Sequence, residues 1–301
     1  MHNKQIAVIA GPSSPVIGHN IAKELDLELL AVNVRTFVDG ECKIQMPNVN
    51  GKYCILVQSL YPPADSHLLQ LLMMIKKCTD DGAADICAVV PYMAYARQDR
   101  AFVEGDVITS ALVAKLLEAV GTNRLVTLDI HSQLALSYFS IRVENASSIP
   151  ILADYVKRNM DLDRPVIVSP DLGGVGRAEE FARLLNVEVT AMEKYRDRNT
   201  GHIFIDEKKL DTVVCGRDII IVDDIISTGA SIIKAAEILK KNKSKRIYAM
   251  CSHSLFDIKN KQRIKDAGVE EIIATNSIPS EFSKIDISPP LSRYIQNIIY
   301  E

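Results

Sequence analysis

Asp218-Ile219-Ile220-Ile221-Val222-Asp223-Asp224-Ile225-Ile226-Ser227-Thr228-Gly229-Ala230-Ser231 passes from an apolar run through two acids into a hydroxyl-bearing turn. Ile219 to Val222 predicts a short buried β-strand, because the run is continuous, β-branched and too brief for a core helix. Two carboxylates, Asp223 and Asp224, stand where that strand is expected to end. Ser227-Thr228-Gly229 follows, and then Ile232, Ala235, Ala236 and Leu239 recur at helical spacing. In open α/β sheets, ligands collect at the carboxyl ends of strands. A helix N-terminus there offers unpaired N–H groups and a partial positive charge to a phosphate. Ser227, Thr228 and Ser231 add hydroxyl donors around Ala230, and Gly229 lets the backbone approach closely. The twin acids can accept hydrogen bonds from neighbouring sugar hydroxyls or reach a metal through water. The plainer alternative is an ordinary capped turn, since Ser and Thr are favoured N-caps. Two acids beside an anion site oppose phosphate binding unless a sugar or cation takes them up, so the pattern points to a phosphorylated sugar.

Working outward, short β-rich runs alternate with amphipathic stretches, which predicts parallel sheets of the βαβ kind. Strands are expected at Ile6–Ala10, Cys54–Ser59, Ile86–Pro91 and Leu125–Ile130. A second series lies at Val166–Ser169, Ile219–Val222, Ile247–Cys251 and Glu271–Ala274. The halves repeat each other: Cys54–Ser59 matches Ile219–Val222, Asp85–Tyr92 matches Lys245–Ser252, and Arg124–His131 matches Glu270–Ser277. The expected organisation is a duplicated α/β domain, 1–147 and 148–301, with its boundary at Ser147-Ser148-Ile149-Pro150. The first copy has Leu60-Tyr61-Pro62-Pro63-Ala64 where the second has its acid and hydroxyl loop, which frees it for another task. A helix from Asp65 to Cys78 is apolar on nearly every side, as expected of deep core or of a subunit interface.

The 301 residues are 48% hydrophobic and 24% charged, and net charge is −3, so no general attraction to nucleic acid or membrane is expected. The longest early apolar run, Ile6 to Ala10, is too short for a signal peptide, and none approaches the ~20 residues of a bilayer span. Six scattered cysteines without a Cys-x-x-Cys pair read as reduced thiols of a cytoplasmic protein.

Four further clusters stand out, three of them at the ends of expected strands. Pro91-Tyr92-Met93-Ala94-Tyr95-Ala96-Arg97-Gln98-Asp99-Arg100 sets aromatics beside a basic, amide and acidic group; an Arg fork can grip phosphate while Gln or Asp reads a base edge. A solvated polar loop would look similar. Leu128-Asp129-Ile130-His131-Ser132 ends a strand with a histidine suited to a metal or phosphate, although a lone histidine is more often structural. Ser169-Pro170-Asp171-Leu172-Gly173-Gly174 suits a backbone anion nest, with Asp171 placed for Mg²⁺. Lys194-Tyr195-Arg196-Asp197-Arg198, before Asn199-Thr200-Gly201, is either a solvated charged hairpin or a cationic flap.

Taken in order, and with Phe37-Val38-Asp39-Gly40-Glu41 added, these motifs make the chain similar over nearly its whole length to the ribose-phosphate diphosphokinases, also called phosphoribosyl pyrophosphate synthetases. The sugar-phosphate loop alone is shared with phosphoribosyltransferases, whereas the ordered set is far more specific. The resemblance implies two phosphoribosyltransferase-type domains that move the β,γ-diphosphoryl group of ATP to the 1-hydroxyl of ribose 5-phosphate, with AMP released. By the same resemblance, 225–231 holds the 5-phosphate and Asp223 and Asp224 take the ribose hydroxyls. His131 and Asp171 position Mg²⁺, with His131 on the ATP side and Asp171 on the ribose 5-phosphate side. Arg97, Gln98 and Asp99 contact ATP; Phe37, Asp39 and Glu41 receive adenine; Lys194 and Arg196 are catalytic. A homo-oligomer with active sites shared between subunits is also implied, with no nucleic-acid or membrane partner.

One segment departs from the commonest bacterial and animal pattern, which continues after Arg100 with basic residues and a Ser. Here Ala101-Phe102-Val103-Glu104-Gly105-Asp106 carries no cation and looks more like archaeal members. Turnover is therefore expected to depend little on inorganic phosphate. A phosphate titration with large, saturable activation would show an anion site built from other residues.

Overall fold

The apolar runs pair as parallel strands. A computed structural model of the chain describes residues 5–192, 195–196, 203–204, 212–256 and 258–300. It divides into two units, Met1–Ser147 with Asp286–Glu301, and Ser148–Ile285.

In the first unit, β1 (Ile6–Ala10), β2 (Glu28–Leu30), β5 (Tyr53–Val57), β6 (Asp85–Val90), β7 (Arg124–Leu128) and β8 (Arg142–Ala146) form a parallel sheet in the order β2-β1-β5-β6-β7-β8. Between them, β3 (Asn33–Thr36) and β4 (Cys42–Gln45) form a separate antiparallel hairpin. The helices are α1 (Pro15–Leu25), α2 (Ala64–Asp80), α3 (Thr109–Ala119) and the short α4 (Gln133–Leu136). In the second unit, α5 (Ile149–Asn159), α6 (Val175–Leu185), α7 (Ala230–Lys241) and α8 (Ile258–Asp266) cover a second parallel sheet. Its strands β9 (Val166–Ser169), β10 (Glu188–Ala191), β13 (Ile219–Ile226), β14 (Ile247–Ser254), β15 (Val269–Thr275) and β16 (Ser283–Ile285) are ordered β10-β9-β13-β14-β15-β16. The hairpin of β11 (Tyr195–Arg196) and β12 (Ile203–Phe204) stands where β3–β4 stands in the first unit.

The two strand orders correspond place by place, as a duplicated domain requires. Register fixes the equivalence: Ile6 lies opposite Tyr53, and Val166 lies opposite Ile219. The helices α1 and α6 have the same length and end alike, on Asp26 (φ 51°) and Asn186 (φ 56°), residues that tolerate the left-handed cap.

Burial explains the unbroken apolar run at 219–222. Ile219 and Ile221 pack with Ile232, Leu239 and Ile264 on one face of the sheet. Ile220 and Val222 pack with Leu152, Val156 and Phe181 on the other, so every side chain of that run is inside. The strand is longer than its apolar run predicts. It continues through both acids to Ile226, because β14 runs on to Ser254 and pairs Asp223 with Cys251 and Ile225 with His253. Helix α2 is also not deep core. It buries Gln70, Leu71, Met74, Ile75 and Cys78 on one stripe, while Leu69 is 53% exposed and Leu68, Leu72 and Met73 are half-buried.

The last helix, α9 (Ser288–Tyr300), follows β16 of the second unit yet packs against α1, β7 and β8 of the first, where Arg124 donates to the Ile298 carbonyl (2.8 Å). The corresponding α5 follows β8 of the first unit and packs against α6 and β16 of the second. The two halves thus exchange helices. Leu291→Ala or Ile295→Ala, each at a fully buried site of α9, should cost about 2–5 kcal/mol. Hydrogen exchange should then quicken in β1, β7 and β8 before it does in β13 and β14; the reverse order would contradict the assignment of α9 to the first unit.

Candidate active site

The second half of β13 and the start of α6 bring two acids and an arginine together. Alternation along β13 puts Asp224 on the face covered by α6, whose first turn carries Arg177. One guanidinium nitrogen, Nη1, lies 3.5 Å from an oxygen of Asp223 and 3.5 Å from one of Asp224. The Asp224 N–H donates to Asp223 Oδ1 (2.9 Å), which fixes the first carboxylate against the chain. Burial first, and then the neighbouring Asp224 carboxyl, push the Asp223 carboxyl up to about 8, against the pull of Arg177.

Beyond the acids the chain turns at Ser227, Thr228 and Gly229. Gly229 has φ 75°, and a Cβ there would sit 2.6 Å from the buried Ile264 Cδ1, so both conformation and space demand glycine. It caps α7, whose N-terminus has no side-chain cap; the Ala230 N–H reaches Thr228 Oγ1 only at 3.4 Å. Thr228, Ala230 and Ser231 are exposed and Ser227 is half-buried. The first N–H groups of α7 therefore face outward with donors to spare.

The turn from β9 to α6 has a similar build. Asp171 Oδ1 accepts from the Gly174 N–H (3.1 Å), and the Ser169 hydroxyl donates to the Asp171 carbonyl (2.7 Å). A Cβ on Gly174 would fall 2.7 Å from Ser169 Oγ, so this glycine is also sterically required. Asp171 keeps a second oxygen for a cation. Among the described residues no group of three or more His, Cys, Asp or Glu forms a metal cage. Lys194 lies outside the described residues; Arg196 belongs to β11, and only its backbone is described.

The first unit carries the other expected residues. In the β3–β4 turn, the Phe37 N–H donates to the Glu41 carbonyl (2.8 Å) and the Glu41 N–H to Asp39 Oδ1 (3.1 Å), with Gly40 at φ 91°. Phe37, Val38, Asp39 and Glu41 are all exposed, and the Arg35 guanidinium lies 4.9 Å from the Phe37 ring centre. Arg97 and Gln98 are exposed; Gln98 accepts from the Thr109 hydroxyl (2.5 Å). Asp99 instead turns inward. It holds Arg100 (3.1 Å) and accepts from the Ser132 hydroxyl, bonds that keep its carboxyl below the usual carboxylate range. Asp99 thereby ties the loop after β6 to the loop after β7, where His131 is exposed next to Asp129 (φ 40°). The left-handed backbone at Asp129 and at Tyr95 (φ 65°) stores strain of the kind that collects at functional loops.

In the first unit, the place that corresponds to the acid pair is closed. The buried Gln58 accepts from the Ser13 N–H (3.1 Å), the Ser13 hydroxyl donates to the Ser59 carbonyl (2.6 Å), and the Ser59 N–H donates to Ser14 Oγ (2.8 Å). Arg177 had no signal in the sequence. It lies inside a helical pattern, and only the fold brings it to Asp223 and Asp224.

The frame is a duplicated parallel α/β domain with an acid pair in one copy only. Residues 6–121 match the family described as the N-terminal domain of ribose phosphate pyrophosphokinase, and residues 208–298 match a phosphoribosyl synthetase-associated domain. A ribose-phosphate pyrophosphokinase of Sulfurisphaera tokodaii is 36% identical over 96% of this chain and 99% of its own length. One from Clostridium perfringens is 36% identical over 99% and 95%. The crystal structure of phosphoribosylpyrophosphate synthetase from Mycobacterium smegmatis superposes with a TM-score of 0.87 at 29% identity, covering 99% of each chain. The chain belongs to the ribose-phosphate pyrophosphokinase family.

The raised Asp223 carboxyl has a consequence for stability. Between the ordinary carboxylate range near ~4 and about 8, the native protein holds a proton that the unfolded chain has released. Stability therefore falls as pH rises through that window and levels off above it. Asp223→Asn removes the titration and should raise Tm relative to the unsubstituted protein above about pH 8, with a smaller difference near about pH 5. Parallel Tm curves across that range would assign the pH response to another group.

Proposed function

We infer that the protein transfers the diphosphoryl group of ATP to the 1-hydroxyl of ribose 5-phosphate, giving 5-phosphoribosyl 1-diphosphate and AMP for nucleotide biosynthesis. The observation that carries the residue assignment is the acid pair held by Arg177 five residues before an uncapped helix start; the first copy has Val57 and Gln58 where the acids stand. The second unit is then the ribose 5-phosphate side. Asp223 and Asp224 accept from the sugar hydroxyls, and Ser227, Thr228, Gly229, Ala230 and Ser231 surround the 5-phosphate with N–H and hydroxyl donors.

The first unit is the ATP side. Phe37, covered on one face by Arg35, offers its ring to adenine, and the Asp39 and Glu41 carboxylates accept from its amino group. Arg97 takes phosphate oxygens and Gln98 a polar edge, while Asp99 acts from beneath by holding their loop. His131 in the first unit and Asp171 in the second are the residues that would hold Mg²⁺, which would supply charge neutralisation on the phosphate oxygens. Phosphoryl transfer depends on alignment and charge stabilisation more than on covalent help, and Lys194 and Arg196 supply cations for the transition state. The exposed Phe37–Glu41 turn and the half-exposed apolar stripe of α2 support a homo-oligomer in which this turn reaches a neighbouring subunit's ATP. No described helix is long and apolar enough to cross a membrane.

AMP release from ATP with ribose 5-phosphate as sole acceptor tests the reading. Base-dependent loss of 5-phosphoribosyl 1-diphosphate instead would make the protein a phosphoribosyltransferase. Lys194→Ala or Arg196→Ala should cut kcat by ~10²-fold or more, with KM much less affected, because charge stabilisation confined to the transition state is lost. An unchanged kcat with raised KM would place both residues in substrate binding alone.

A further inference from the structure

Arg177 has no role in the assignments above, yet its surroundings are hard to explain as simple packing. It occupies the first turn of α6, where the helix dipole disfavours a cation. Its side chain is only 19% exposed, so most of it has also been taken out of water. Its contacts to Asp223 and Asp224 are made by one nitrogen at 3.5 Å each, and among the described residues its guanidinium makes no closer hydrogen bond. A guanidinium brings five donors in a planar fork, so most of that capacity is unspent inside the second unit.

The duplication supplies an internal control. By the register of β1 on β5 and of β9 on β13, Val57 stands where Asp223 stands and Gln58 where Asp224 stands. By the matched lengths and caps of α1 and α6, Ile17 stands where Arg177 stands. Val57 and Gln58 are fully buried and Ile17 is 2% exposed. The same frame thus folds with an apolar residue at this position when the acids are absent. The cation is present where the acids are present and absent where they are absent.

We propose that Arg177 is a positioning residue for the sugar acceptor: its guanidinium holds the Asp223 and Asp224 carboxylates as an oriented pair for the ribose hydroxyls. The role rests on the reading of the second unit as the ribose 5-phosphate side. Two adjacent carboxyl groups repel each other when both are charged and would swing apart; a cation astride both holds them side by side. Both acids can then accept from neighbouring hydroxyls at once. Because the contacts to Arg177 are loose, the acids can strengthen their bonds to the sugar without first breaking short ones.

The test is a double-mutant cycle on the full-length protein, with KM for ribose 5-phosphate and for ATP measured separately. Arg177→Ala should raise KM for ribose 5-phosphate by at least ~10-fold, as truncation of one member of a buried charge pair does. KM for ATP should move far less. Arg177→Lys should recover part of the loss, since charge survives without the fork. Adding Arg177→Ala to Asp223→Asn should cost little more than Asp223→Asn alone, because Arg177 acts through the acids. Additive losses, or a rise in KM for ATP as large as that for the sugar, would overturn the proposal. If the alanine variant melts early, the lysine variant carries the test: unchanged sugar KM at unchanged Tm overturns the role, and raised sugar KM supports it. If the unsubstituted protein forms no AMP from the two substrates, the reaction assignment fails; if it does and Arg177 variants match it, only the role of Arg177 fails.

Discussion

Two carboxylates in succession at the end of a buried strand are an electrostatic liability, and the second unit is organised around containing it. The sheet supplies the strand and burial raises the cost of charge. A single arginine from the first turn of α6 answers both acids at once. Everything the loop beyond them does depends on their being held. Gly229 turns the chain in the left-handed region beneath Ile264, and α7 begins uncapped immediately after. Acceptors and donors therefore stand a few residues apart with opposite sign, which is the charge pattern of a sugar bearing a phosphate.

The first unit shows the same frame relieved of that liability. Where the acids would stand it has Val57 and Gln58, and the nearby backbone groups are satisfied by Ser13, Ser14 and Ser59. A closed polar network of this kind has no vacancy for a ligand. The reactive surface of that unit has moved outward, to the exposed β3–β4 turn and to the loops after β6 and β7, where Tyr95 and Asp129 hold left-handed backbone. Duplication provided two scaffolds, and the polar residues at matching sheet positions decide which task each can take.

The strands were legible because burial on both faces forces continuous apolar runs, as at Ile219–Val222. The acid pair and Gly229 were legible because both break that pattern in a specific way. The reach of β13 to Ile226 was not, since it depends on β14 extending equally far, which is a property of the partner strand. Short edge strands such as Glu28–Leu30 carry too few residues to show a period. Arg177 was invisible because a cation within an amphipathic helix ordinarily marks a solvated face. The contacts of Asp99 with Arg100 and Ser132 beneath its loop were not legible, since they depend on the loop after β7; its neighbours Arg97 and Gln98 stay outside.

The exchange of terminal helices reverses the order in which the chain can be finished during synthesis. The second unit has all of its segments once Ile285 has left the ribosome, whereas the first, although made earlier, lacks α9 until residues 288–300 emerge. The nascent first unit must wait with the side of α1 that α9 covers still bare. For the same reason, cutting the gene between the two copies leaves the upstream fragment without the helix that covers α1, while the downstream fragment holds the whole second unit and carries that helix with nothing of its own to cover.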